Sequence, residues 1–222
     1  MTNKFLTLGA LATVLAFTIA CKENPNEIEA SEAAAAAVAT TEAISYNVDT
    51  DLSSIAWVGS SPTDAHTGNL SIASGVVKVQ SQTLQSGEFV IDMASIEVTD
   101  IEGEQATKLK AHLEGTRPGV ETDFFDISNF PTAKFVVTSV KSVDGKNMLE
   151  GNLTLKDVTK NVAFPVNVSY DDNKMMLTSE QFTIDRTDWG IQYGSQKFSD
   201  QVLNSAISDD IKLTINLVAK KA

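Results

Sequence analysis

From Tyr46 onward, apolar and polar residues alternate with a period of two, the mark of half-buried β-strands. In 161–170, Val162, Phe164, Val166, Val168 and Tyr170 share one face. In 148–156 the same face carries Leu149, Gly151, Leu153 and Leu155. In 211–219 it carries Ile211, Leu213, Ile215, Leu217 and Ala219, with Lys212, Thr214 and Asn216 opposite. Further strands are predicted at Ser54–Ser60, 75–80, 87–93, 133–141 and 175–184. Turn signals at Ser86-Gly87, Asp144-Gly145 and Asp171-Asp172-Asn173 separate them. The spacing predicts an all-β domain, an antiparallel barrel or sandwich. One stretch departs from this pattern. In 104–113, Ala106, Leu109 and Leu113 recur at helical spacing among good helix formers, so a short helix is expected there. A second helical turn is expected over 200–206.

The amino terminus follows a different pattern. After Lys4 comes an uncharged apolar run from Phe5 to Ala20. It is shorter than the roughly 20 residues of a spanning helix and suits the apolar part of a secretory signal. The run ends at Ala20-Cys21, and Cys21 is the single cysteine of the chain. A small residue before a lone cysteine, directly after such a run, resembles the bacterial lipoprotein signal, in which the cysteine is lipidated and becomes the first residue. Residues 22–45 hold Glu23, Glu27, Glu29, Glu32 and Glu42, an alanine run from Ala33 to Ala37, and no aromatic residue. Such a stretch has little with which to build a core, and a disordered spacer is expected. The chain thus reads as a signal peptide (1–20), a lipidated cysteine and tether (21–45), and one β-rich domain (46–219).

Composition narrows the function. Of 222 residues 42% are hydrophobic, enough for a packed core. Lys and Arg number 17 against 29 Asp and Glu, a formal net charge of -12, which disfavours nucleic-acid binding. One cysteine and two histidines leave no intramolecular disulfide and little for a metal centre. There is no nucleophile elbow, phosphate loop or dinucleotide fingerprint. No catalytic residue, metal or obligatory cofactor is expected.

Several blocks then carry a resemblance. Trp57 is followed by His66-Thr67-Gly68, then by Asp123-Phe124-Phe125-Asp126 and Phe130-Pro131-Thr132-Ala133-Lys134-Phe135. Gly151-Asn152-Leu153-Thr154-Leu155-Lys156 and Ile184-Asp185-Arg186-Thr187-Asp188-Trp189-Gly190 come later. In this order and spacing, over 46–219, the chain resembles the YceI-like family of periplasmic lipid-binding proteins. The resemblance implies a lipocalin-like antiparallel β-barrel around an elongated isoprenoid chain or an isoprenoid quinone. The chain departs from the family pattern at Pro62-Thr63-Asp64, in 115–121 and in 196–208, all expected loops.

A pocket for a prenyl chain needs apolar walls and few polar groups. Trp57, Phe89, Phe135, Phe164, Phe182 and Trp189 can supply walls, as can Met148, Met175 and Met176; each can equally pack an ordinary core. His66, beside Gly68, is a donor to a head group at the barrel mouth or a buried histidine that holds a turn. His112 reads as structural or exposed. Arg186 either fixes a head group or bonds carboxylates such as Asp123 or Asp126. Asp185, its neighbour on a strand, points to the other face. The reading that follows is a lipid-anchored protein of the Gram-negative cell envelope, at the outer membrane. It carries or stores an apolar molecule, touches the membrane through its N-terminal lipid, binds no nucleic acid, and leaves a homodimer open. The alternatives are a structural or adhesive lipoprotein with a side-chain-filled barrel, and an enzyme using His66 on a lipophilic substrate.

Overall fold

The computed structural model describes residues 27–171, 173–200 and 206–222. In chain order its strands are β1 (Ser31–Glu32), β2 (Ile44–Val48), β3 (Ser54–Ser60), β4 (Ala65–Gln80) and β5 (Thr83–Val98). After helix α1 (Gly103–Glu114) come β6 (Thr132–Val143), β7 (Lys146–Leu155), β8 (Val158–Tyr170), β9 (Lys174–Ser179), β10 (Phe182–Asp185) and β11 (Asp210–Lys221). The strand pairings are antiparallel and form one sheet of 11 strands. β2 and β3 follow one another between β4 and β11, and β9 and β10 follow one another along the other edge of β11. With β1 off the ring, the 11 strands reduce to eight positions, and the sheet closes into a barrel.

The predicted strands are present, and three are longer or more broken than the sequence pattern suggests. β4 and β5 each run for 16 residues, because β-bulges near Asn69, Ile72 and Lys78 let a long hairpin bend round the barrel. These bulges interrupt the alternation, so only 75–80 and 87–93 read as strand beforehand. The expected strand 175–184 is split at Glu180–Gln181 into β9 and β10. α1 covers the expected 104–113 and ends at Gly115, whose φ of 73° is the left-handed conformation glycine adopts freely. The second helical turn, expected over 200–206, falls mostly outside the described residues.

The tether needs correction. Cys21 and residues up to 26 lie outside the described residues, but from Glu27 the chain is laid along the barrel. β10 pairs with β11 but not with β8, and the first half of β8 has an edge that β9 does not cover. Residues 27–32 occupy this seam. Glu27 bridges Thr183, Ile28 N–H donates to the Thr183 carbonyl at 2.9 Å, and β1 pairs with Asn161 and Lys160 of β8. Ile28, Ala30 and Ala37 pack against the core. Farther on, Asn152 grips Ala34 by both backbone groups, at 3.0 and 2.7 Å. Low hydrophobicity does not leave this stretch disordered, because an open sheet edge offers unpaired backbone groups to bond.

Candidate functional site: an apolar cavity in half a barrel

Inward-facing side chains fill one end of the barrel and leave the other hollow. The hollow end holds a cavity of about 350 Å³. Its lower walls include Ile55, Leu70, Ile91, Ala133, Leu153 and Ile184, and Trp57, Met93, Ile96 and Leu213 add to the apolar lining. Gly59, Ser60, Ser61, Asp64, His66 and Ser208 give it a polar rim. Leu109 and Leu113 of α1, with Phe124 and Phe125 of the following loop, close over it. α1 has no fully buried residue, so it is a lightly held lid.

The lid is fixed from below. His112 Nε2 lies 2.8 Å from Asp123 Oδ2, and the His112 ring meets Phe124 and Tyr193 edge-on at 5.1 and 4.9 Å. Phe125 and Ile127 N–H donate to the Leu113 and Glu114 carbonyls. Lys156 Nζ donates to the Phe124 carbonyl at 2.7 Å. Burial pushes the Lys156 ammonium below its ordinary range, against the pull of Asp126 and Asp123. Asp126, buried and at φ 48°, accepts both bonds of Asn129 Nδ2 at 3.0 Å and shapes the turn. Asp123 and Asp126 therefore build the loop beneath the lid.

Arg186 lines the cavity and is 1% exposed. Its donors are already engaged. Nη1 donates to the Ile191 carbonyl at 2.6 Å, Nε to Ser208 at 3.0 Å and Nη2 to Ile207 at 3.2 Å. Nη2 also lies 3.3 Å from Asp209 Oδ1, and the guanidinium sits 5.9 Å from the centre of the Phe124 ring. Burial lowers its pKa, opposed by Asp209 and Asp185. The partner carboxylate is thus Asp209, not the expected Asp123 or Asp126, because the loop before β11 folds back over β10. Asp185 accepts from Thr187 N–H at 2.8 Å and binds Lys197, which also reaches Asp209.

His66 stands at the rim. Its Nδ1 lies 2.9 Å from Asp100 Oδ2, and Asp100 Oδ1 accepts from Thr67 N–H at 2.8 Å. It is neither a buried histidine nor bonded to backbone. Gly68 lies behind the wall: a Cβ there would meet the Trp57 ring at 2.5 Å and the Glu97 carbonyl at 1.7 Å. Trp57 can lie flat against β4 only because residue 68 has no side chain. The Trp57 indole is 7% exposed, and its Nε1–H has no acceptor among the described residues.

The structure divides the expected wall residues. Trp57, His66 and Arg186 lie at the cavity. Phe89, Phe135, Phe164 and Phe182 do not; they form a chain of touching rings in the filled end, at centroid distances of 6.3, 5.7 and 4.2 Å. Trp189 is buried outside the cavity, its Nε1–H donating to the Leu153 carbonyl at 3.0 Å. Met175 is buried in the core, and Met176 is exposed. The sequence reading missed Met93, Ile96 and the lid residues Leu109 and Leu113. The helical spacing of the last two was the available signal. Among the described residues no cluster of His, Cys, Asp and Glu converges to hold a metal.

The chain matches the YceI-like domain family over residues 46–219. It is similar to the UPF0312 protein of Pseudomonas putida strain F1, 38% identical over 81 residues, which is 35% of this chain and 42% of that protein. It is also similar to the UPF0312 protein of Pseudomonas syringae pv. tomato, 38% identical over 77 residues, 33% of this chain and 40% of that protein. These matches span about two fifths of the relatives' length. Among solved structures, Burkholderia cenocepacia BcnA superposes with a TM-score of 0.60 at 23% identity, covering 78% of this chain and 99% of BcnA. A polyisoprenoid binding domain from Saccharophagus degradans superposes with a TM-score of 0.55 at 14% identity, covering 81% of this chain and 99% of that domain. With its barrel described and nearly all of it matched, the chain belongs to the YceI-like domain family.

Proposed function

We propose that this protein binds an elongated apolar molecule, a polyisoprenoid or an isoprenoid quinone, in its barrel and carries or stores it in the cell envelope. The observation that carries the reading is the cavity: about 350 Å³, apolar-walled apart from Arg186 and a polar rim, and closed by a light lid. That volume falls within the roughly 300–1,000 Å³ of small-molecule sites. The Saccharophagus degradans domain, whose name records polyisoprenoid binding, lends support as a relative in fold. His66 and Asp100 at the rim are assigned to the head group, and no catalytic step is proposed.

The anchor belongs to the same proposal. Cys21 carries the lipid and holds the protein at the outer membrane of a Gram-negative cell. Five residues separate Cys21 from Glu27, a maximum reach of about 20 Å. With the chain from Glu27 bound to the barrel, the leash is short and the barrel stays near the lipid surface.

The test is direct. The chain would be produced from residue 21 behind a cleavable secretory leader, with Cys21→Ser to block lipidation, and purified without detergent. Organic extraction and mass spectrometry should yield an isoprenoid near one per protein. Absence of bound lipid, and no uptake on incubation with quinones and prenols, would refute the carrier reading. Labelling the unmodified chain in cells with an alkyne fatty acid tests the anchor; loss of the label in Cys21→Ser is the expected result.

A further inference from the structure

The strands that wall the cavity also show where it stops. Along β5 the deepest lining residue is Ile91, and the next inward position is Phe89. Along β6, Ala133 lines the cavity and Phe135 comes next. Along β10, Ile184 lines it and Phe182 comes next. β8 contributes no lining residue, but it places Phe164 flat against Phe182, with ring planes 6° apart. On β7, Leu153 lines the cavity and Gly151 comes next, vacant, so the Phe135 ring lies over it: a Cβ at 151 would sit 2.1 Å from that ring. Each of these strands therefore leaves the cavity wall at the same aromatic layer. The layer is well packed, with Phe89, Phe164 and Phe182 each 6% exposed or less and Phe135 9%.

Resting on the carrier reading, we infer that this phenylalanine layer, centred on Phe135, is a floor that measures ligand length. At roughly 30 Å³ for a water-sized group, the 350 Å³ above it admits about a dozen non-hydrogen atoms. Two to three isoprene units are buried, and any longer chain extends past the rim. The ligand class is thus a ten- to fifteen-carbon apolar stretch with a free or continued end at the mouth. Phe135 is the centre because its ring covers two strand positions at the cavity's end, its own and that of Gly151.

Binding of prenol, geraniol, farnesol and geranylgeraniol, with five, ten, fifteen and twenty carbons, tests this on the Cys21→Ser chain. The readout is quenching of Trp57 fluorescence, with Trp57→Phe as the control for Trp189. Affinity should rise about a hundredfold or more from a five-carbon to a ten-carbon alcohol, as each buried methylene adds up to about fourfold. It should then change by less than about threefold from the fifteen- to the twenty-carbon alcohol. Phe135→Ala should remove that plateau and favour the twenty-carbon chain. Ala133→Leu, which fills the space above the floor without opening the core, should move the plateau toward shorter chains, and it keeps the test open if Phe135→Ala fails to fold. Affinity that climbs through twenty carbons in the unmodified floor, or a plateau that neither variant moves, overturns the floor while leaving the carrier reading intact. Binding of no chain overturns both.

Discussion

The two ends of this barrel share strands and an alternation rule, yet one is solid and the other hollow. Along β5, β6 and β10 the inward positions are phenylalanine at one end and Ile91, Ala133 and Ile184 at the other. Aromatic side chains reach the barrel axis and meet there, as the Phe164–Phe182 stack at 4.2 Å shows. Aliphatic and small side chains stop short of it. The hollow end must then be covered by another element, and α1 with Leu109 and Leu113 does so without a fully buried residue. The barrel thus puts its stability in one half and its vacancy in the other. Substitutions of similar chemistry should have unequal effects in the two halves.

The largest effect is expected in the filled half. Phe164→Ala removes a ring that is 1% exposed and stacked on its neighbour, and should cost about 3–5 kcal/mol in urea unfolding. Leu113→Ala trims a lid residue that already faces the cavity, and should cost about 1 kcal/mol or less while speeding ligand exchange. Equal losses from the two variants would abolish the distinction between solid floor and light lid.

Gly68→Ala sharpens the comparison from within the hollow half. The added methyl meets the Glu97 carbonyl and the Trp57 ring, so either β4 parts from β5 or Trp57 swings into the cavity. A loss of about 1–3 kcal/mol is expected, with a weakened ligand-dependent change in fluorescence. The seam gives a smaller effect. Asn152→Ala removes two hydrogen bonds to Ala34 and should cost about 1 kcal/mol, with faster amide exchange at Ile28 reporting a loosened seam. Unchanged exchange there would mean that the bridge to Thr183 and the β1–β8 pairing hold the segment without Asn152.

Much of the barrel was legible because its strands obey a strict alternation, as in 148–155 and 211–219. The cavity was not. Phe135 and Ala133 are both inward on β6, and periodicity cannot say that one fills the axis and the other leaves it empty. The aromatic residues stood out as pocket walls for the property that makes them core, their size. Their fate depends on rings from strands far apart in sequence, such as Phe89 and Phe164. The 27–45 segment was misread for a related reason. Its backbone bonds go to Thr183 of β10 and to an edge of β8, a seam left open because β10 does not pair with β8. Asp209 was missed as the partner of Arg186 because a loop, not a strand, brings it there.

The smallest effect is electrostatic and lies where β10 ends, on the hollow side of the floor. Burial pushes the Asp185 carboxyl up, but bonds from Lys197 and Thr187 outweigh it, and its pKa falls below the ordinary carboxylate value. A carboxylate depressed on folding stabilises the protein above its unfolded pKa of about 3.9 and loses that contribution as pH falls through the folded value. Lys197 is 57% exposed, so solvent screens the pair and holds its worth to about 1 kcal/mol or less. Asp185→Asn keeps a side-chain oxygen for Thr187 N–H but removes the charge. At pH 7 the variant should unfold at slightly lower urea than the parent. The gap should narrow as pH falls below about 4 and close once pH is below the depressed folded value, where the parent's carboxylate is protonated too. A gap that persists unchanged to pH 3 would show that Asp185 acts through the shape of the turn and not through its charge. The end of β10 would then be held by the neutral hydrogen bonds of its turn, while the floor beneath it is held by packing.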